Sequence, residues 1–322
     1  MKVISMKRVA LCGFASAFSL LSACGGGGGS SGVVSTPTPP SSLVYPTFTA
    51  LSANQQIPIT GVFATRTTVS TASGDNTSPM QVASRTFSGG NLSITYDATT
   101  KSYTLVDGSF SSAAYGPDNL MGDNGFESDA VIYLRGGGTN VSSQLTLYKP
   151  EGNAKLGSPP LSYTTLFAWG QSNYTNNSDG TETTAVSDIV YGVGGFQTAG
   201  PDMPKTGSAT YSGPVMGMHI NGTEVEAVTG QAFLEANFGA NTADARMLLN
   251  GATLGSTKEI VGSGSIDSNK FNGTMSGAGY SGAYDGAFNG PRAKEMGYSF
   301  SLSESGGGRI IGVGGGATSS PP

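Results

Sequence analysis

An all-β chain is predicted by three observations. Turn residues recur every few positions after Tyr45, and short apolar alternations of period two lie between them. No 3.6-residue apolar period runs for three turns anywhere in the first half. Composition narrows the function classes as well. Only 11% of the 322 residues are charged, well under half the usual quarter of a soluble domain, and 50 are glycine. Two cysteines (Cys12, Cys24) and one histidine (His219) cannot build a Cys/His zinc cluster or a disulfide framework. A net charge of −5 speaks against nucleic acid as a partner, because such binders draw most of their affinity from Lys and Arg on phosphates.

The elements follow in chain order. Lys2, Lys7 and Arg8 precede an apolar run over 9–21, too short for a bilayer, which takes about 20 apolar residues. A basic start, a short apolar middle and a small-residue end have the form of a secretory signal. The end, Leu21-Ser22-Ala23-Cys24, resembles the lipobox of bacterial lipoproteins. That resemblance implies a signal peptide over 1–23, cleavage before Cys24, and acyl chains such as palmitate on Cys24. Several chains anchor stably where one is marginal, at about 0.8 kcal/mol per buried methylene. A plain secretory signal with an incidental cysteine is the alternative. Cys12 would leave with the signal, so the fold must rest on packing and hydrogen bonds. Gly25 in place of Asp implies, by resemblance to lipoprotein sorting, the outer membrane of a Gram-negative bacterium.

Residues 24–45 read as a tether. Five glycines (25–29) give a flexible coil, and Thr36-Pro37-Thr38-Pro39-Pro40 a stiffer spacer. The glycine run is no phosphate cradle, since no Lys-Ser/Thr follows it and no strand precedes it. From 46 to 200 the chain reads as a β-rich domain. Leu92, Ile94 and Tyr96 alternate with polar residues, as do Tyr103 and Leu105, and turn residues at 97–101 join them into a hairpin. Further strands are expected at 130–134, 144–148, 163–171 and 189–196. Gly200-Pro201 and Pro204 mark a boundary. Beyond it strands are expected at 207–213, 215–221, 225–238, 246–250, 258–267, 270–276, 280–288, 295–303 and 309–315, with a single helical turn around 241–249 as a weaker pattern. Eight or nine short, closely spaced strands over 201–318 indicate a closed antiparallel barrel, which also removes exposed sheet edges.

The segments Gly207-Ser208-Ala209-Thr210-Tyr211-Ser212-Gly213, Gly282-Ala283-Tyr284-Asp285-Gly286-Ala287-Phe288-Asn289-Gly290-Pro291 and Ile311-Gly312-Val313-Gly314-Gly315 carry a family resemblance. They are similar to the barrel domain of transferrin-binding protein B and its surface-lipoprotein relatives, through Ala293 and Glu295 to Gly297. The resemblance implies a β-rich handle domain followed by an eight-stranded antiparallel barrel. It covers the last third clearly, and the rest only through 163–169 and Tyr191-Gly192. Tyr298 stands where the family pattern has a second glycine, and Gly314 where it usually has Phe. The chain is one lobe long against two in transferrin-binding protein B, which speaks against transferrin itself as ligand.

Candidate sites are sparse. Met216, Met218 and Ile220 share one strand face, leaving His219 with Gly217 and Asn221 on the other. A haem or metal ligand is one reading of His219; a solvated polar-face histidine is the expected one. No Gly-x-Ser-x-Gly elbow between strand and helix supports a triad hydrolase. Asp118, Asn119, Asp123, Asn124 and Glu127 form the richest oxygen-ligand segment, but their spacing fails the EF-hand loop, and Asx-Gly clusters usually are turns. Trp169 reads as a core aromatic, with a stacking platform as the alternative. No cofactor is expected.

The expected protein is a monomeric, non-enzymatic lipoprotein, anchored through Cys24 at the cell surface, that holds an unknown protein or small-molecule ligand. The family resemblance implies a tie to iron or haem acquisition. A structural or adhesive envelope lipoprotein without a small-molecule ligand is the alternative.

Overall fold

The computed structural model describes residues 43–71, 74–83, 92–107, 110–121, 130–137, 141–152, 159–176 and 182–319. The expected signal peptide, Cys24 and the tether up to residue 42 lie outside the described residues. Every long element is a strand, and among the described residues the only helices are short 3-10 turns.

The first sheet is built on a strand that pattern reading did not single out. Strand β1 (Gln55–Thr71) sends Ile57 and Ile59 to one face and Val62 and Ala64 to the other. Its Thr-rich second half hides that alternation from a hydropathy count. Short strands β2 (Gly74–Thr77) and β3 (Gln81–Ala83) pair along it. The expected hairpin forms β4 (Leu92–Asp97) and β5 (Ser102–Asp107), followed by β6 (Phe110–Ser111). Then come β7 (Ala130–Gly137), β8 (Val141–Tyr148), β9 (Thr164–Asn176) and β10 (Glu182–Gly195). The sheet order is β6-β5-β4-β1-β10-β9-β8-β7. The four expected strands at 130–196 are all present, longer than their apolar cores because Ser, Thr and Asn continue the ladder.

This sheet curls around a core of its own, with Phe167, Trp169, Leu145, Tyr115 and Ile94 inside. Trp169 is buried there and donates its indole N–H to the Tyr115 hydroxyl at 2.8 Å, as a core aromatic should. The other face of the sheet carries Val62, Leu166, Tyr191 and Val193. These pack on Met218, Ile220, Ile311 and Val313 of the second sheet.

The second sheet is the closed barrel: β11 (Ser208–Asn221), β12 (Glu224–Asn237), β13 (Thr242–Asn250), β14 (Lys258–Asp267), β15 (Lys270–Gly277), β16 (Tyr280–Asn289), β17 (Glu295–Glu304) and β18 (Arg309–Ala317). Each strand pairs antiparallel with the next, and β18 pairs with β11. Two expectations need correction. The strands expected at 207–213 and 215–221 are one. Pro214, which has no N–H to give, sits opposite Gln231 on the β12 side, while the ladder toward β18 skips 213–214. The helical turn around 241–249 does not form. Ala243, Ala245, Met247 and Leu249 are buried while Thr242, Asp244 and Arg246 are exposed, a period of two.

The barrel interior explains the glycine content. Aromatic residues stand directly opposite glycines on neighbouring strands: Phe271 opposite Gly286, Tyr284 opposite Gly273, Phe300 opposite Gly312, Tyr298 opposite Gly314. A Cβ on Gly286 would lie 2.6 Å from the Phe271 ring. Small opposite large is how a narrow barrel fills without strain. The two positions at which the sequence departs from the pattern implied by the resemblance form one such pair. Tyr298 and Gly314 are cross-strand partners, and a Cβ on Gly314 would sit 2.9 Å from the Tyr298 ring. The Tyr298 ring occupies the space that a side chain at 314 would need, so the pair fills it once.

A buried carboxylate stitches barrel to first sheet. Glu295, at the start of β17, accepts the backbone N–H groups of Ser162 (2.7 Å) and Tyr163 (2.8 Å), just before β9. Burial pushes its carboxyl up from 4.5 to about 7, against the pull of these donors.

Candidate functional site

Three places carry polar chemistry: the end of the barrel at His219, the cleft between the two sheets, and the segment at Asp118.

His219 lies near the C-terminal end of β11 and is buried, at 6% exposure, which corrects the expectation of a solvated ring. The alternation holds, but over Gly217–Ile220 neither face of β11 meets water. Met216, Met218 and Ile220 pack toward the first sheet, and the opposite face, with Tyr211 and Val215, is barrel interior. A buried imidazole needs partners, and His219 has them from three other strands and loops. Its Nδ1 lies 2.9 Å from the Thr253 hydroxyl and 3.5 Å from the Glu226 carboxylate; its Nε2 lies 3.1 Å from the Tyr280 hydroxyl. Glu226 accepts both the backbone N–H of Thr253, at 2.9 Å, and its hydroxyl. Desolvation raises the Glu226 carboxyl, but the Thr253 hydrogen bonds and His219 outweigh it, so the group sits below its ordinary value. Burial, then the charge and hydrogen bond of Glu304, push the Tyr280 phenol up.

The result is a chain of polar groups, Glu226–Thr253–His219–Tyr280–Glu304, that closes one end of the barrel by tying β11, β12, β16 and β17 to the 251–257 loop. Sequence reading missed it because its members are up to 85 residues apart and meet only when the barrel closes. A nucleophile–base–acid triad is not what it forms: Thr253 already gives its proton to Glu226, and each nitrogen of His219 faces a hydroxyl.

Between the barrel-facing side of the first sheet and the outer face of β11 and β12 runs an open cleft of about 790 Å³. Gln144, Thr146 and Tyr191 line one wall; Met216, Thr229 and Gln231 line the other. Its walls mix amide, hydroxyl and apolar groups.

Of the oxygen-rich segment, Asp118 and Asn119 stand in a 3-10 turn (Pro117–Asn119), where the Asn119 amide oxygen accepts the Gly116 N–H at 3.0 Å. That is turn chemistry. Residues 122–127, with Asp123, Asn124 and Glu127, lie outside the described residues. Among the described residues no group of three or more His, Cys, Asp or Glu side chains could hold a metal ion.

Residues 203–318 match the family of C-lobe and N-lobe β-barrels of Tf-binding protein B. No curated protein matches the chain. Among solved structures, the apo haemoglobin receptor HpuA from Kingella denitrificans is similar over 85% of this chain and 90% of its own, at 15% identity and a TM-score of 0.43. A transferrin binding protein B mutant from Haemophilus parasuis Hp5 is similar over 81% of this chain and 76% of its own, at 12% identity and a TM-score of 0.35. The isotype 1 transferrin binding protein B from serogroup B Neisseria meningitidis is similar at 12% identity and a TM-score of 0.33, over 84% of this chain and 77% of its own.

Proposed function

From a barrel of the transferrin-binding protein B type, we infer that this chain is a surface lipoprotein that holds a partner without chemistry on it. Cys24 carries the acyl chains, residues 25–45 form the tether, and the domain over 46–200 with the barrel over 201–318 presents the binding surface. Iron or haem acquisition is the role that fits. The observation that carries the reading is the match of residues 203–318 to the barrel family. The interior aromatic-to-glycine pairing supports it, because such a barrel is held from within and leaves its loops free to vary. The spent hydrogen bonds of His219 support a role without catalysis.

Binding of the whole chain, immobilised through its acylated end in lipid, tests this against haemoglobin, transferrin and haem. Haemoglobin or haem is expected to bind at micromolar concentration or below; failure of all three to bind a folded chain contradicts the iron-carrier role. Protease accessibility on intact cells checks the surface location.

One observation favours an adhesive reading as the second. One outward row across β14–β17, Ser263, Thr274, Ala283 and Ser301, is short and, apart from Ala283, hydroxylated. A deletion strain with lost adhesion and normal iron uptake would favour it.

A further inference from the structure

Arg66 lines a cleft of the first sheet and makes no ion pair among the described residues. It shares its β1 face with Val62 and Ala64, so it lies on the side turned toward the barrel. Its Nε is shut off from solvent and meets no acceptor, and the ion pairs among the described residues, His219–Glu226 and Arg246–Glu259, do not involve it. Asp188 is the acid that also lines this cleft, but it alternates to the face opposite Ser187. Arg135, the other cation there, is engaged, donating from Nη1 to the Ala114 carbonyl at 2.5 Å.

Beside Arg66 the register places a row of hydroxyls. Arg66 stands opposite Ser187, Ser187 opposite Ser172, and Ser172 opposite Ser142, on four adjacent strands and one face. The Ser172 and Ser187 hydroxyls are 2.9 Å apart. Gln144 flanks the row, and the cleft, about 530 Å³, ends at Tyr191 and Met218.

A guanidinium presents a rigid fork that fits a carboxylate or sulfate, and an unmet buried donor is costly to leave so. Among the described lysines and arginines, Arg66 is set apart by a guanidinium Nε that is buried without an acceptor. Serine hydroxyls donate and accept, so a row of them suits ligand hydroxyls rather than a second anion. We propose that Arg66, Ser187, Ser172 and Ser142 form a binding site for an anionic sugar residue: the guanidinium takes the carboxylate or sulfate ester, and the serine row takes ring hydroxyls. The site does not depend on the iron-carrier reading.

Titration of the whole chain with glucuronate, glucose 6-sulfate, glucose and inorganic sulfate, followed by saturation-transfer NMR, tests it. Either anionic sugar, or both, should bind at millimolar concentration or below, with glucose and sulfate alone weaker by about tenfold. Arg66→Gln should weaken binding by about tenfold or more, and Arg246→Gln should leave it unchanged. Ser172→Val, which keeps the charge, should weaken it several-fold and serves if Arg66→Gln does not fold by circular dichroism. Equal binding of glucose and glucuronate, undiminished binding by folded Arg66→Gln, sulfate alone binding as tightly as its sugar ester, or no saturation by either anionic sugar would overturn the proposal.

Discussion

Moving the ring of Tyr298 across its strand pair is the sharpest test of how this barrel is filled. Tyr298 is fully buried, its ring centroid 5.9 Å from that of Tyr284 and 6.4 Å from those of Phe271 and Phe300. Tyr298→Gly removes a core aromatic, at about 3–5 kcal/mol, and adds about 1 kcal/mol for a glycine in a strand. Gly314→Phe alone drives a Cβ to 2.9 Å from the Tyr298 ring and 3.0 Å from the Ala232 Cβ. That overpacking costs about 1–3 kcal/mol or more. The double variant removes the first clash and returns a ring to the vacated space. It should recover most of the loss and end within about 2 kcal/mol of the parent, a coupling of several kcal/mol between the two sites. Urea denaturation of the parent, both single variants and the double variant, followed by circular dichroism, gives the cycle directly. A double variant no more stable than Tyr298→Gly would refute the pairing. Tyr298→Phe adds a cheaper check. The phenol oxygen is buried without a hydrogen-bond partner, so its removal should leave stability unchanged or raise it by about 1 kcal/mol.

Other perturbations test the remaining links. The folded Glu295 carboxyl is held at about 7 against an ordinary 4.5, so its stabilising contribution is complete below 4.5 and lost as pH rises through 7. The parent should therefore gain about 3 kcal/mol relative to Glu295→Gln as pH falls across that window, read by denaturation at both ends; a pH-independent difference, or the opposite sign, contradicts the burial argument. His219→Ala should lower stability by about 1–3 kcal/mol, measured by thermal unfolding, and leave the haem absorption spectrum in a haem titration unchanged. Loss of a haem band in that variant would instead make His219 an axial ligand. Cys24→Ser should move the chain from the detergent phase to the aqueous phase in a phase-partition assay, and unchanged partition would sink the proposed anchor.

Much of the fold was legible because strands announce themselves locally. Alternation at Leu92, Ile94 and Tyr96, and glycine-punctuated runs after Ser208, needed no knowledge of neighbours. The misreadings also have local causes. Strand β1 escapes pattern reading because its Thr and Ser positions dilute the hydropathy signal, although Val62 and Ala64 are buried core residues. Residues 241–249 suggested a helical turn because Ala and Leu favour helices, and the barrel overrode that preference. Pro214 looked like a break because a central proline usually is one; a gap in a single ladder accommodates it.

Amino-acid order alone determined the all-β class, the closure into a barrel, the signal-like leader and the scarcity of histidine and cysteine, because each depends on residue type and near spacing. Burial of His219, the partnership of Tyr298 with Gly314, the Glu295 link and the alignment of Arg66 with three serines were decided only by tertiary structure. Each of these depends on which strands become neighbours and in what register, and a shift of one residue in that register would turn every one of those side chains to the opposite face.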